Sequence, residues 1–252
     1  MSYLSKLISI ISVIAIFSLA SCEDTKSNKS SKKSQQELEE KAKIARQDSI
    51  INSIHIPKDG SKTSVDINEI TTVKQEQLIP FLTEYGKDNL EDRVIIYSSF
   101  GEIHVKLYKD TPLHRANFIR LAKTGYFSTT FFHRVLDNFV VQGGNSDNIS
   151  TQKVRAAIGD YLIPSEFSSS HQHHRGAFSA AKYAEQNVSK ASSPFEFFIV
   201  QGKRGAHHLD NDHTIFGEVT KGMNVVDKMA KVKTDESEWP IKNILIDSVV
   251  VY

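Results

Sequence analysis

From Arg93 to the C-terminus the chain is cut into short β-rich runs, and this division restricts the fold more than any other feature. Val94-Ile95-Ile96-Tyr97 and the alternating Ile103-x-Val105-x-Leu107 flank Phe100-Gly101 and read as a hairpin, with Glu102, His104 and Lys106 on its wet face. Phe131 to Val135, Phe139 to Gln142, Ala177 to Ala181, Phe195 to Val200, Thr214 to Val219 and Ile244 to Val251 continue the series. Two helices interrupt it. One begins at Thr111-Pro112, a good N-cap followed by a first-turn proline, places Phe118, Leu121 and Ala122 on one side, and stops at Gly125. The other turns Val225, Val226 and Met229 inward. Many short strands with so few helices predict a mainly β domain, a barrel or sandwich capped by helices.

The remainder of the 252 residues is organised differently. Leu7 to Ala20 reads LISIISVIAIFSLA, uncharged, behind Lys6. That matches a signal-peptide core and falls short of the roughly 20 residues needed to span a bilayer. It ends Leu19-Ala20-Ser21-Cys22, and Cys22 is the only cysteine. The ending resembles the lipobox of bacterial lipoproteins; an ordinary signal peptide followed by an unrelated cysteine is the alternative. The resemblance implies a signal peptide over residues 1–21 and lipid on Cys22. The chain would then be held on a membrane of the bacterial cell envelope, extracytoplasmic, without crossing the bilayer. Glu23-Asp24 leaves the leaflet open.

Residues 22–60 read as a tether rich in Lys, Ser, Gln and Glu, with a marginal helix between Gln35 and Ile54 carrying Leu38, Ala42, Ala45 and Ser49. Pro57, Asp59 and Gly60 break it, residues 61–92 read as a connecting region, and residues 93–252 form the domain. A single cysteine excludes an intramolecular disulfide and any Cys-based zinc or iron–sulfur cluster. With 31 Lys+Arg against 30 Asp+Glu, the formal charge of +1 argues against a dedicated nucleic-acid binder.

Phe131-Phe132-His133-Arg134-Val135 through Phe139-Val140-Val141-Gln142-Gly143-Gly144 resembles the signature of the cyclophilins. Further segments are similar to that family in the same order: Gly101-Glu102-Ile103 through Asn117-Phe118, Ile163-Pro164-Ser165-Glu166-Phe167, His174-Arg175-Gly176-Ala177, Phe197-Phe198-Ile199, and Leu209-Asp210 through His213-Thr214-Ile215-Phe216-Gly217. The resemblance implies a closed eight-stranded antiparallel barrel with two capping α-helices, and peptidyl-prolyl cis/trans isomerase activity on proline-containing unfolded or partly folded segments. Turning an X-Pro bond makes no covalent bond, so it requires no nucleophile, metal or cofactor.

By the same resemblance Arg134 would be the catalytic donor, its planar charged fork stabilising the twisted amide. Phe139, Val140, Phe198, Leu209 and His213 would form the proline pocket, and Gln142 would bond the substrate backbone. Because a pocket on the outer wall opposes the core in strand parity, Phe139 and Phe198 are expected to be partly exposed while Phe197 points inward. His171, His173 and His174, and His207, His208 and His213, crowd two loops but lack HExxH spacing, so no metal is expected. Asp210-Asn211-Asp212 lacks the calcium-loop glycine and terminal Glu, and reads as a turn.

Four departures from the family pattern stand out. Glu196 replaces the usual Gln, Tyr183 replaces a small residue facing the groove, and residues 145–157 lack the usual Gly-Thr-Gly run, implying a reshaped loop. His208 alters the aromatic edge that many members use to hold cyclosporin, so weak cyclosporin binding is expected. These departures leave a second reading open, a peptide-binding or chaperone module on the same barrel with little catalysis. A weaker third is an envelope scaffold working through residues 35–92.

Overall fold

Eight strands form one closed antiparallel barrel, in the order β1-β2-β7-β5-β6-β4-β3-β8. They are β1 (Arg93–Ser98), β2 (Gly101–Leu107), β3 (Phe131–Val135), β4 (Val140–Asn145), β5 (Ala177–Ala180), β6 (Phe197–Val200), β7 (Ile215–Lys221) and β8 (Ile244–Val251). This computed structural model describes residues 65–183 and 189–252, together with Leu38 and Lys41, both helical. The apolar N-terminal run, Cys22 and the rest of the tether lie outside the described residues. By its contacts the chain divides into Met1–Ile54 and His55–Tyr252, and the barrel belongs to the second unit.

Among the described residues of the barrel-bearing unit, four α-helices accompany the strands: α1 (Leu78–Asp88), α2 (Pro112–Lys123), α3 (Ile149–Ile158) and α4 (Met223–Met229). The two expected helices are α2 and α4, and Val225, Val226 and Met229 are buried as anticipated. Thr111 does not cap α2. Its hydroxyl donates to the Tyr108 carbonyl, while both Glu166 oxygens accept the first free amides, from Leu113 and His114 at 3.0 Å each. A carboxylate at that end of a helix also meets the positive pole of the peptide dipoles.

The two further helices correct the sequence reading. The reshaped loop after β4 is α3, which buries Thr151, Val154 and Ile158 at helical spacing. The connecting region contains α1, whose Leu78 and Leu82 enter the main core beside Val73. Its leading segment is fastened to the end of α3: the Val73 amide donates to Ile158 O at 3.0 Å and the Thr72 hydroxyl to Ala157 O at 2.8 Å. Gly159 lies so close to this segment that a Cβ there would fall 2.1 Å from Val73 O.

The barrel interior is aromatic. Phe118 of α2 packs against Phe127, Phe178, Phe197 and Phe216, with ring centroids 4.6–5.8 Å apart. Each such ring contributes on the order of 1.5–3 kcal/mol by leaving water. One interior row runs Phe132, Gly143, Phe197, Ala180 across β3, β4, β6 and β5. Gly143 is required there by space alone, since a Cβ would lie 3.0 Å from Phe132 Cδ1 and 3.1 Å from Phe197 Cζ.

Candidate active site

The residue next to Gly143 on each strand faces the other way. Arg134 pairs with Gln142, Gln142 with Phe198, Phe198 with Ser179 and Ser179 with Ile215, making a row across the outer wall. Alternation from Phe132 alone would turn Arg134 inward. It does not, because β3 is bulged: Phe132 pairs with Gly143 and Arg134 with Gln142, leaving His133 as an extra residue between them. A bulge of this kind shifts the following side chains by one face. Phe132 and Val135 therefore both belong to the core while Arg134 lies half-exposed outside.

Beyond Gln142 the outer row enters a second apolar cluster, separate from the barrel interior. It contains Val140, Ala177, Ala181, Phe198, Val200, Ala206 and Ile215, with Leu136, Phe139, Leu209 and Tyr108 packed around it. Phe197 is in the main core and Phe198 in this outer one, as the parity argument requires. Phe139 is half-buried, with its ring stacked on His208 at 5.4 Å. Phe198 corrects the expectation of partial exposure, since it is only 4% accessible. The His173 ring stacks on it at 5.8 Å and the His213 ring meets it edge-on at 5.3 Å. Val140 is likewise buried, and Leu209 is partly buried on the short turn His207–Leu209.

Both histidines against Phe198 are held by local hydrogen bonds. The His213 Nδ1 lies 3.1 Å from Ala180 O, which can only accept, so that nitrogen carries the proton. Burial is the largest influence on His213 and pushes its pKa below the ordinary histidine value. His173 is also pushed down by burial, although Asp210 opposes the shift at 2.7 Å from Nδ1. Neutral rings suit an apolar wall. Asp210 also accepts from the His173 amide and lies near His207, so the Asp210-Asn211-Asp212 segment is a turn that positions the histidines.

At the other end of the row Arg134 is held from two sides. Its Nε donates to Glu238 Oε2 at 2.7 Å, and its Nη1 approaches Gln142 Oε1 at 3.5 Å. The Gln142 Nε2 in turn donates to Glu196 Oε2 at 3.0 Å. The site thus sets a guanidinium and an amide beside the apolar cluster that holds Phe198, with the His213 ring packed against it.

A sequence model of the family described as "Cyclophilin type peptidyl-prolyl cis-trans isomerase/CLD" matches residues 93–251. The chain belongs to the cyclophilin family.

Its relatives include "Peptidyl-prolyl cis-trans isomerase-like 2" of Rhizopus delemar, 32% identical over 76% of this chain and 35% of that protein. Another is "Peptidyl-prolyl cis-trans isomerase-like 3" of Dictyostelium discoideum, 32% identical over 63% of this chain and 94% of that protein. The chain spans about a third of the length of the first of these. A crystal structure of a Cryptosporidium parvum cyclophilin-type isomerase, obtained in the presence of the dipeptide Ala-Pro, shares the fold with a TM-score of 0.54. It is 23% identical and covers 64% of this chain and 98% of its own.

Three residues at this cyclophilin site escaped the sequence reading. Glu238 stands 104 positions from Arg134, on the loop before β8, and no local pattern connects them. Arg155 projects from α3 to the Glu196 carboxylate at 3.4 Å, the Gly144 carbonyl at 3.0 Å and the Tyr126 hydroxyl at 2.8 Å. His133, the bulge residue, is buried within 3.4 Å of Glu196. Tyr183 stands half-buried, and burial raises its pKa while a hydrogen bond with Ser193 opposes the shift. The histidine loops are engaged by carboxylates: His171 with Asp110 at 2.9 Å, and both His173 and His207 with Asp210.

Proposed function

We propose that this cyclophilin domain catalyses cis/trans isomerisation of X-Pro bonds in exported, unfolded or partly folded protein segments, with Arg134 as the catalytic residue. The observation that carries this reading is the outer row, in which Arg134 and Gln142 stand beside the apolar cluster around Phe198. Twisting the bond loses amide resonance against a barrier of ~18–20 kcal/mol. As it twists, the prolyl nitrogen becomes pyramidal and its lone pair localises. The Arg134 N–H groups can meet that lone pair, or the adjacent carbonyl, in the twisted state more strongly than in either planar one. Phe139, Val140, Phe198, Leu209 and His213 hold the proline ring, and Gln142 bonds the neighbouring backbone. The fixed ring and the mobile remainder of the peptide then turn against each other, with no bond made or broken.

The test is exchange spectroscopy on an Ala-Pro peptide with the full chain. Wild type should accelerate exchange, and equal rates for wild type and Arg134→Ala would overturn the catalytic assignment. The second reading, a binder with little catalysis, draws support from the 4% exposure of Phe198 and the engagement of Arg134 by Glu238. It predicts peptide binding without acceleration.

The proposed place of action is the bacterial cell envelope, on the extracytoplasmic side, through lipid on Cys22. The Leu7–Ala20 run and the Leu19-Ala20-Ser21-Cys22 ending support this. The relatives named above are eukaryotic, so the proposal rests on these residues alone. Labelled palmitate that enters wild type and is lost in Cys22→Ala would support it; equal labelling would overturn it.

A further inference from the structure

Gln142 has an amide whose two ends are chemically opposite, and the structure surrounds it with partners that accept only one arrangement. On one side stands the Arg134 guanidinium, which can only donate. On the other stands Glu196, whose ionised carboxylate can only accept, at 3.0 Å. The His133 Nε2, able to donate or accept, lies farther from the same Gln142 nitrogen at 3.5 Å, so the carboxylate sets the direction. With both in place, the nitrogen must face Glu196 and the oxygen must face Arg134. An uncharged side chain at position 196 would impose no such order, because a second amide can present either end.

The carboxylate is itself confined. Its side chain is 10% exposed and lies 3.4 Å from Arg155 Nη2 and 3.4 Å from His133 Nε2. Arg155 is fixed in turn by Tyr126, by Gly144 O and by stacking over Phe195 at 4.8 Å. Burial works against ionisation of Glu196. Hydrogen bonding and charge from His133, the Arg155 charge and the Gln142 hydrogen bond outweigh it and hold the carboxyl below its usual range. Gly144 closes the arrangement: a Cβ there would fall 2.1 Å from Phe195 O, so β4 and the chain entering β6 lie too close for any larger residue.

We propose that Glu196, anchored by Arg155 of α3, is a positioning residue that fixes the Gln142 amide with its oxygen toward Arg134 and thereby orients the Arg134 fork over the proline pocket. Resting on the isomerase reading above, this assigns a role to the helix that stands where a loop was expected. Glu196 touches neither substrate nor reacting atoms in this scheme; it acts through Gln142.

The variant that tests it is Glu196→Gln, which keeps size and shape and removes the direction. The expected result is about a tenfold lower exchange rate at saturating Ala-Pro peptide, with the peptide dissociation constant within about twofold of wild type and an unchanged Tm. The Gln142 side-chain amide protons should exchange slowly with solvent in wild type and faster in the variant. Arg155→Lys, which retains the charge, should keep more of the rate than Arg155→Met. An unchanged rate together with unchanged Gln142 protection would overturn the proposal, as would a rate that falls only in step with Tm. Should Arg134→Ala match wild type, the isomerase reading fails by itself, and the Gln142 exchange measurement decides the positioning role alone.

Discussion

The Glu238 carboxylate accepts the Nε–H of Arg134 at 2.7 Å, fastening the loop before β8 to the bulged strand β3. The main chain makes the same connection, since the Val135 amide donates to Glu238 O at 2.9 Å. Glu238 reaches this position with a left-handed φ of +66°, in a turn where Asp235 accepts the Ser237 and Trp239 amides. With Nε so occupied, the Nη groups are left for Gln142 and, in the proposed mechanism, for the substrate. Both side chains are more than a third exposed, so the pair itself adds little stability, on the order of 0–1 kcal/mol. Arg134→Ala should therefore lower the exchange rate about a hundredfold with little change in Tm. Glu238→Gln should cost no more than about fivefold. Equal losses for the two would show that Glu238 does more than hold the fork.

Phe198 and Phe139 should separate binding from stability. Phe198→Ala removes a 4%-exposed ring packed between two histidines and should cost about 3–5 kcal/mol in unfolding as well as peptide affinity. Phe139→Ala removes a half-buried ring and should weaken peptide binding with a smaller loss of stability. Denaturant titration beside peptide titration checks both.

Gly143→Ala should destabilise by about 1–3 kcal/mol, because the added Cβ is caught between Phe132 and Phe197. Peptide binding should fall with it, since Gln142 is the adjacent residue. A variant as stable as wild type would mean that the two rings can separate without cost.

Acidification should lower stability before the carboxylates respond. His173 and His213 lie below the ordinary value of 6.5, burial being the main cause. Unfolded histidines take up protons near pH 6.5, while these two resist until a lower pH. The unfolded state then binds more protons, so stability that is complete above pH 6.5 declines as the pH drops through it. Glu196, Asp210, Asp212 and Asp227 are also held below their ordinary values of 4.5 and 3.8, and respond only in stronger acid. Tm measured between pH 7.5 and 5.5 should fall, and His213→Gln should flatten the slope. A Tm rising on acidification would contradict the assignment.

Leu82→Ala should cost about 2–5 kcal/mol, as for other fully buried leucines. Chains beginning at residue 93 should lose Tm relative to chains beginning at residue 65. Equal stability would show α1 to be dispensable to the barrel.

What was legible follows from where the physics is local. Strands β3 and β8 begin and end where the sequence predicts them, and the inward face of α4 follows from its apolar residues. Helix α2, by contrast, is buried on every side from His114 to Ala122 and not along one stripe. Helix α3 was hidden because it buries only Thr151, Val154 and Ile158, too thin a stripe to stand out among polar neighbours. Helix α1 was hidden because its leucines are buried only by elements far along the chain. The cap of α2 escaped for the same reason, with Glu166 lying 53 residues beyond Leu113. The outer row was visible as a family pattern, whereas the bulge at His133 and the carboxylates behind Arg134 and Gln142 arise from pairing between strands and loops.

The ring of eight strands has a consequence for how a client can be held. Every strand has a neighbour on both sides, so among the described residues the barrel presents no free edge strand. Under the proposed isomerase reading, a client is gripped by side chains on the outer wall, over a short stretch centred on one proline. Such a grip recognises a residue in place of an extended segment, and it lets go without unzipping a ladder. On that reading the surface suits brief visits by many different sequences, each leaving as soon as its bond has turned.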